Sequence, residues 1–484
     1  MPRNAFSARP LKVFSDDQVG EVHAGALRLL ETLGVRIASD DALDLLGDYG
    51  VRCDRAGMRA YPDAGSVDRA LASVRRGYAL HGRGPRAGEA LRVGLDTVHT
   101  ISGGAALRVF DGGRYRAASR QDMLDMIALH ERLDNVHVLI NVVEPAEMAG
   151  PDMYPEIAAL HFSYGGKPLL LQASGQRDLE KIIRMASLIA GGRDRLRERP
   201  LFMTGGNAEP PLCIERGAAE VLIVAAREGV PCSLGSYEMA GSTGPMDAAG
   251  AIVQRTATVL AGLVLTQAAR PGSAYDFSAQ CGGCDLATGS VVTMSPQVMQ
   301  MVAGAIQVGR HYGMVTNAMS ATDSPAPDAQ AAGERFFSLA ACVMAGASLI
   351  QGATSEMAGM ELADFAQCVL DDEIAGCVLE FATGVGTGEL PEALRAIEDV
   401  VSDPQYRGHR FLGHPHTAER CRRAGYRHNL FSAAPLAQVL RSPREPLYER
   451  ARRRAEELMG QGGPVLPADL TRELLRIARE DAGR

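Results

Sequence analysis

From about residue 130 to residue 381 this chain repeats one rhythm: a short apolar run, then an amphipathic helical pattern, then glycine or proline. Strand candidates fall at 136–143, 168–173, 201–204, 231–235, 274–278, 314–317 and 348–351. Helices are predicted between them, at 178–190, 214–227, 246–269, 295–312, 328–345 and 365–381. The strands are continuously apolar rather than alternating, as strands buried on both faces must be, and that is the mark of a parallel sheet with helical crossovers. Seven units, with an eighth strand left unassigned, predict an α/β fold: a (β/α)8 TIM barrel rather than an open doubly wound sheet. No G-x-G-x-x-G turn follows the first strand, which opposes a dinucleotide-binding sheet.

The flanks read differently. Residues 1–95 are predicted as an N-terminal helical segment, in which Ser15 caps a helix whose face is Val19, Val22 and Ala26 and whose end is Gly34. Residues 96–130 hold a hairpin turn at Asp111-Gly112-Gly113 and a connecting helix, 131–385 the barrel core, and 386–484 a C-terminal helical extension. Fifty basic against 58 acidic residues give a net charge of −8 with no basic stripe, so neither nucleic acid nor an anionic membrane is expected as partner. No long apolar run follows Met1, the most apolar segment (257–265) is too short to span a bilayer, and the nine cysteines are odd in number and scattered. These features predict a cytoplasmic protein with reduced thiols.

In such a barrel the active site forms at the carboxyl ends of the strands. Reading those ends in order yields Glu144, Gln172, Asn207, Tyr237, Glu238, Gln280, Asn317 through Asp323, Gln351 and Glu356. Any one of them alone is explained as a loop residue bonding its own backbone; as a set they describe a polar pocket. The loop from Asn317 to Glu334 stands out, because Pro325 and Pro327 stop both the strand before it and the helix after it. Cys281-Gly-Gly-Cys284 lacks the second ligand pair that a closed zinc site needs, and Pro415 interrupts the cluster His409, His414 and His416. No metal, flavin or nicotinamide motif is complete, so no tightly bound cofactor is expected.

The run Thr322-Asp323-x-x-x-Pro327-Asp328-x-Gln330 resembles the loop that the trimethylamine methyltransferase family places after a late barrel strand. LRLLETLGVRI (27–37), DALDLLGDYGVRCD (41–54), PCSLGSYEMAGSTGP (231–245), VLAGLVLTQAARPG (259–272), VLDDEIAG (369–376) and GHPHT (413–417) resemble further family segments, in order and spacing. The resemblance implies a TIM barrel that moves a methyl group from a methylated amine to the Co(I) of cobalamin (a corrinoid) carried by a cognate partner protein, and a homo-oligomer. Pyrrolysine precedes the loop run in the trimethylamine-specific members; here Ala321 fills that slot. The chain thus resembles the pyrrolysine-free branch, associated with quaternary amines such as glycine betaine, proline betaine and carnitine. On this reading the catalytic candidates are Ala321 and Asp323, and the substrate-binding candidates are Glu144, Asn207, Tyr237, Glu238, Tyr275, Gln280, Asn317, Gln351, Glu356 and His414. With no tryptophan in the chain, Tyr237 and Tyr275 are the aromatic faces for a cation, and Phe277 is read as core. Two other readings stay open: another TIM-barrel enzyme such as a lyase, which would want metal carboxylates or a Schiff-base lysine in the pocket, Lys167 and Lys181 being the only lysines of the barrel region, and a non-catalytic betaine-binding protein.

Overall fold

Seven parallel strands form the centre of the computed structural model, which describes residues 10–421 and 428–480. They are β1 (His99–Thr100), β2 (Leu169–Gln172), β3 (Phe202–Asn207), β4 (Cys232–Gly235), β5 (Tyr275–Ser278), β6 (Thr316–Met319) and β7 (Leu349–Gln351). Their order around the sheet is β1-β7-β6-β5-β4-β3-β2. The remaining gap is closed by the irregular stretch 136–143, held by the parallel bridges Ile101↔Val138, Ala106↔Val143 and Leu139↔Leu169. Each stave is followed by a helix, in chain order α1 (Arg120–Arg132), α2 (Met153–Tyr164), α3 (Gln176–Ala190), α4 (Arg216–Glu228), α5 (Ala248–Ala269), α6 (Pro296–His311), α7 (Ala329–Ala345) and α8 (Phe365–Ala382). The α/β barrel expected from the rhythm is therefore present. Its unassigned strand is β1, so the barrel begins at His99 and not at 131. Two residues, one of them a histidine, carry no readable apolar period.

Burial on both strand faces explains the continuous apolar runs. Leu169, Leu171, Phe202, Leu234 and Phe277 face outward into the core shared with the helices, whereas Leu170, Met203, Val315 and Leu349 face inward. The inward cluster also takes Tyr78, Leu80 and Val93 from the hairpin Tyr78–His81/Ala90–Val93, which closes one end of the barrel. Each such side chain, fully buried, contributes about 1.5–3 kcal/mol. That hairpin, and the strands Val35–Ile37, Arg52–Asp54 and Arg59–Tyr61, which form a small sheet with Cys213–Ile214, lie where the sequence predicts helix alone. Strands of two to four residues with mixed exposure leave no period to detect.

Helix α5 is long and apolar enough to cross a membrane, but it packs against the helix Asp16–Thr32, α4, α6 and the helix Ala64–Ser73, as a core helix does. In the C-terminal extension the helix Leu447–Met459 covers α8 and α1, and the helix Ala468–Arg479 covers α2 and α3.

Candidate active site

Side chains alternate along each strand, so parity decides which strand-end residues reach the barrel axis. Gln172, Asn207, Ser233, Ser278, Gln280 and Gln351 line a cavity of about 60 Å³ at the carboxyl ends of the strands. Gly205, Gly206 and Gly235 leave room there for backbone. Asn317 joins this set by accepting from Gln351 Nε2 at 3.0 Å. The buried polar atoms with no hydrogen-bond partner among the described residues include Gln172 Oε1 on the cavity wall, Asn317 Nδ2 beside Gln351, and Tyr237 Oη. Buried polar groups are nearly always paired, so an orphan on the cavity wall and another on the hydrogen-bond partner of Gln351 mark a place for a ligand or for water.

Tyr237 follows β4 and lays its ring over Gly282, where a Cβ would lie 2.5 Å from the ring. Burial, reinforced by Cys281, Glu356 and Asp323, pushes its hydroxyl pKa far up. Glu356 is 6% exposed, and its carboxyl is raised to about 7 by burial, with Arg335 and the Gly104 N–H opposing. Gly352 (φ +65°) makes space for that carboxylate; any side chain there would collide with Glu356 Oε2 and the Ser320 carbonyl. Glu144 is half-buried, accepts from Asn141 Nδ2 at 3.3 Å, and is likewise raised by burial. Asn207 is exposed at the rim.

Four sequence candidates have other duties. Glu238 is 0% exposed and pairs with Arg255 at 3.3 Å, while accepting from Ser236 Oγ at 2.6 Å. Arg255 also donates to the carbonyls of Ser236 and Gln280 and to Ser278 Oγ, so the pair staples the ends of β4 and β5 from behind. Tyr275 shares the parity of Phe277 and donates its hydroxyl to the Val259 carbonyl of α5 at 2.8 Å, so its face is not offered to the barrel axis. Asp323 spends both carboxylate oxygens on Thr293 and Met294, receiving both backbone N–H groups at 2.9 Å, and so organises the loop. His414 lies in the C-terminal extension, where it accepts from the His416 N–H at 3.1 Å and stacks on Tyr406; none of its partners belongs to the strand-end ring.

Ala321 is buried just beyond β6, where its carbonyl accepts from Ser338 Oγ at 3.1 Å, and the hydroxyl of Ser320 meets that of Ser338 at 2.9 Å. The loop after it is tied by Glu334, which accepts from Thr322 Oγ1 at 2.6 Å and from the Asp323 N–H at 2.9 Å. Sequence reasoning passed over Glu334, Arg255 and Arg335. Arg335, 0% exposed, pairs with Asp371 at 3.3 Å and donates to the carbonyls of Gly352 and Glu356. A lone arginine inside an otherwise apolar helix was the available signal for Arg255, since such a charge is buried only when paired. Cys281 is buried, with its thiol pushed up to about 12. Neither Cys281 with Cys284 nor the His409–His416 loop forms a potential metal-ligand group among the described residues; Glu373, Cys377 and His428 do.

The profile of the trimethylamine methyltransferase (MTTB) family matches residues 2–483. A trimethylamine methyltransferase of Desulfitobacterium hafniense is 29% identical over 80% of this chain and 78% of its own length. A glycine betaine methyltransferase of another Desulfitobacterium hafniense strain is 27% identical over 86% of this chain and 85% of its own. A trimethylamine methyltransferase of Methanosarcina barkeri is 25% identical over 82% and 81%. With the match running essentially from end to end of a barrel whose strand ends carry an uncharged polar cavity, the chain belongs to the trimethylamine methyltransferase family.

Proposed function

We propose that this protein transfers a methyl group from a quaternary amine to the Co(I) corrinoid of a separate partner protein. The observation that carries the reading is Ala321: in a family member matched over 2–483, the slot just before the Thr322–Gln330 run holds a small, inert, buried side chain. A quaternary nitrogen already carries the positive charge that makes it a leaving group. The C–N electron pair departs with a neutral tertiary amine, the acceptor's electron pair forms the new bond to carbon, and no general acid is required. What remains for the chain is to desolvate and orient the donor and to leave the mouth open to a bulky acceptor. Tyr237 supports the first task, with a largely buried ring after β4 and a hydroxyl that has no partner among the described residues. Ala321 is then a wall of the donor cavity and Asp323 a positioning residue for the loop beside it.

The lyase alternative loses its Schiff-base lysine. Lys167 Nζ donates to the carbonyls of His130 and Leu133, and Lys181 Nζ to Asp152 and the Ala478 carbonyl, so neither lines the cavity. A homo-oligomer belongs to the same proposal: the helix Leu390–Ser402 exposes Leu390, Leu394, Ile397 and Val401 along one stripe, a surface that a second copy would cover. The test is to mix the protein with a reduced corrinoid protein and follow conversion of Co(I) to methyl-Co(III). Turnover is expected with a quaternary amine and not with trimethylamine; equal rates with trimethylamine would overturn the donor assignment.

A further inference from the structure

Helix α8 and the C-terminal extension bring together three groups that the methyl-transfer reading does not use. Glu373 and Cys377 stand about one turn apart on one face of α8, and His428 reaches them from 51 residues beyond Cys377. Their ligand atoms all lie within 4.8 Å of one another. His428 Nδ1 is 2.7 Å from Glu373 Oε1 and 3.9 Å from Cys377 Sγ. In a tetrahedral zinc site the corresponding separations are about 3.3 and about 3.6 Å, so shifts of about 0.5 Å bring the donors to bonding distance. Glu373 is 3% exposed, and its other oxygen, Oε2, accepts the backbone N–H groups of Asn429 and Leu430 at 3.0 and 3.1 Å. Those bonds fix the carboxylate with Oε1 toward the other two donors, as outer-shell bonds do around a metal. Cys377 is half-buried and His428 exposed, so an ion and the water that completes its coordination can enter from solvent.

We infer that Glu373, Cys377 and His428 bind a zinc ion. A thiolate, an imidazole and a carboxylate are all donors that zinc accepts, and the sulfur disfavours magnesium and calcium. Binding releases the Cys377 proton to solvent and keeps the imidazole neutral, with its proton on Nε2. Thiolate and carboxylate then balance the two positive charges. The ion fastens residues 428–430 to α8, and the Leu430 carbonyl, which accepts from Arg450 at 2.6 Å, links that anchorage to the helix Leu447–Met459. Its role is structural. Glu373 borders a cavity that Leu133 and Asp134 also line, before the stretch 136–143 and so at the barrel end opposite the polar mouth. The site departs from the expectation that no metal binds tightly, because two donors on a helix and a third 51 residues away leave no motif to read.

The test uses the purified full chain, dialysed against a chelator and titrated with zinc chloride. One ion per chain should bind and raise the thermal transition. Cobalt(II) in its place should give the near-ultraviolet band of thiolate-to-cobalt charge transfer. Cys377→Ala should abolish that band, and His428→Ala should weaken zinc at least tenfold. Cys284→Ala and Cys421→Ala, which remove other accessible thiols, should leave the affinity unaltered. Should Cys377→Ala fail to fold, alkylation of the unaltered chain supplies the second measurement: zinc should slow labelling of Cys377 by iodoacetamide at least tenfold, read by peptide mass. Zinc affinity unchanged in both Cys377→Ala and His428→Ala, or labelling of Cys377 at the same rate with and without zinc, overturns the inference.

Discussion

Removing Arg255 tests whether the strand-end ring is held from behind. In Arg255→Met, Glu238 keeps a carboxylate that is 0% exposed and loses its cation, while the Ser236 and Gln280 carbonyls and Ser278 Oγ lose a shared donor. Breaking one side of a buried pair costs about 3–5 kcal/mol, and the orphaned acceptors keep the loss toward the upper end of that range. Replacing both partners, Arg255→Met with Glu238→Leu, should recover most of the loss, because an apolar pair of similar volume leaves no unpaired charge. The pH dependence has a definite sign. Burial already pushes the Glu238 carboxyl up and Arg255 opposes it, so the variant raises the folded pKa further above the unfolded value of 4.5. A raised carboxyl favours the fold when protonated, so the deficit should be smallest near pH 4.5, where only the lost hydrogen bonds remain, and grow as pH rises through the folded value. Urea unfolding of the single and double variants at pH 5 and pH 8 measures all of this. A loss below about 1 kcal/mol at pH 8, or a double variant no better than the single, would refute the staple.

Ala321→Leu should lower turnover of a quaternary amine with little change in stability, read from steady-state rates and a thermal melt; unaltered turnover would place the loop away from the donor. Tyr237→Phe removes a buried hydroxyl without a partner, so the free protein should gain about 1 kcal/mol while donor binding weakens, checked by denaturation and titration calorimetry. Tyr78→Phe strips Asp276 of the 2.6 Å hydrogen bond that its carboxylate accepts inside the barrel, where burial lifts the carboxyl to about 7. Because that value lies above the unfolded one of 3.8, stability from Asp276 is full below about pH 4 and is lost as pH rises through 7; the variant's deficit, about 1–3 kcal/mol by urea unfolding, should be larger at pH 8 than at pH 5.

The barrel was legible from residue order alone because burial on both faces leaves a local trace, runs such as 168–173 and 201–204 that tolerate no polar alternation. The order of strand ends likewise placed Gln280, Asn317 and Gln351 together at one mouth, since every βα loop of a barrel opens on the same side. Direction within the mouth was not legible. Tyr237 and Glu238 are neighbours in sequence, yet one side chain lies over Gly282 and the other meets an arginine seventeen residues on in α5, a choice set by strand parity and by helix packing. Tyr275 lost its predicted role for the same reason, its hydroxyl finding the Val259 carbonyl on the outer side. The two-residue strand β1 was invisible because its pairing with β7 comes from closure of the ring and not from any preference of His99 and Thr100. Sequence alone determined what is periodic and local: the barrel, its helices, and the end at which the polar residues gather. Tertiary structure decided which of those residues remain free, because that depends on partners distant in the chain whose contacts exist only once the barrel has closed.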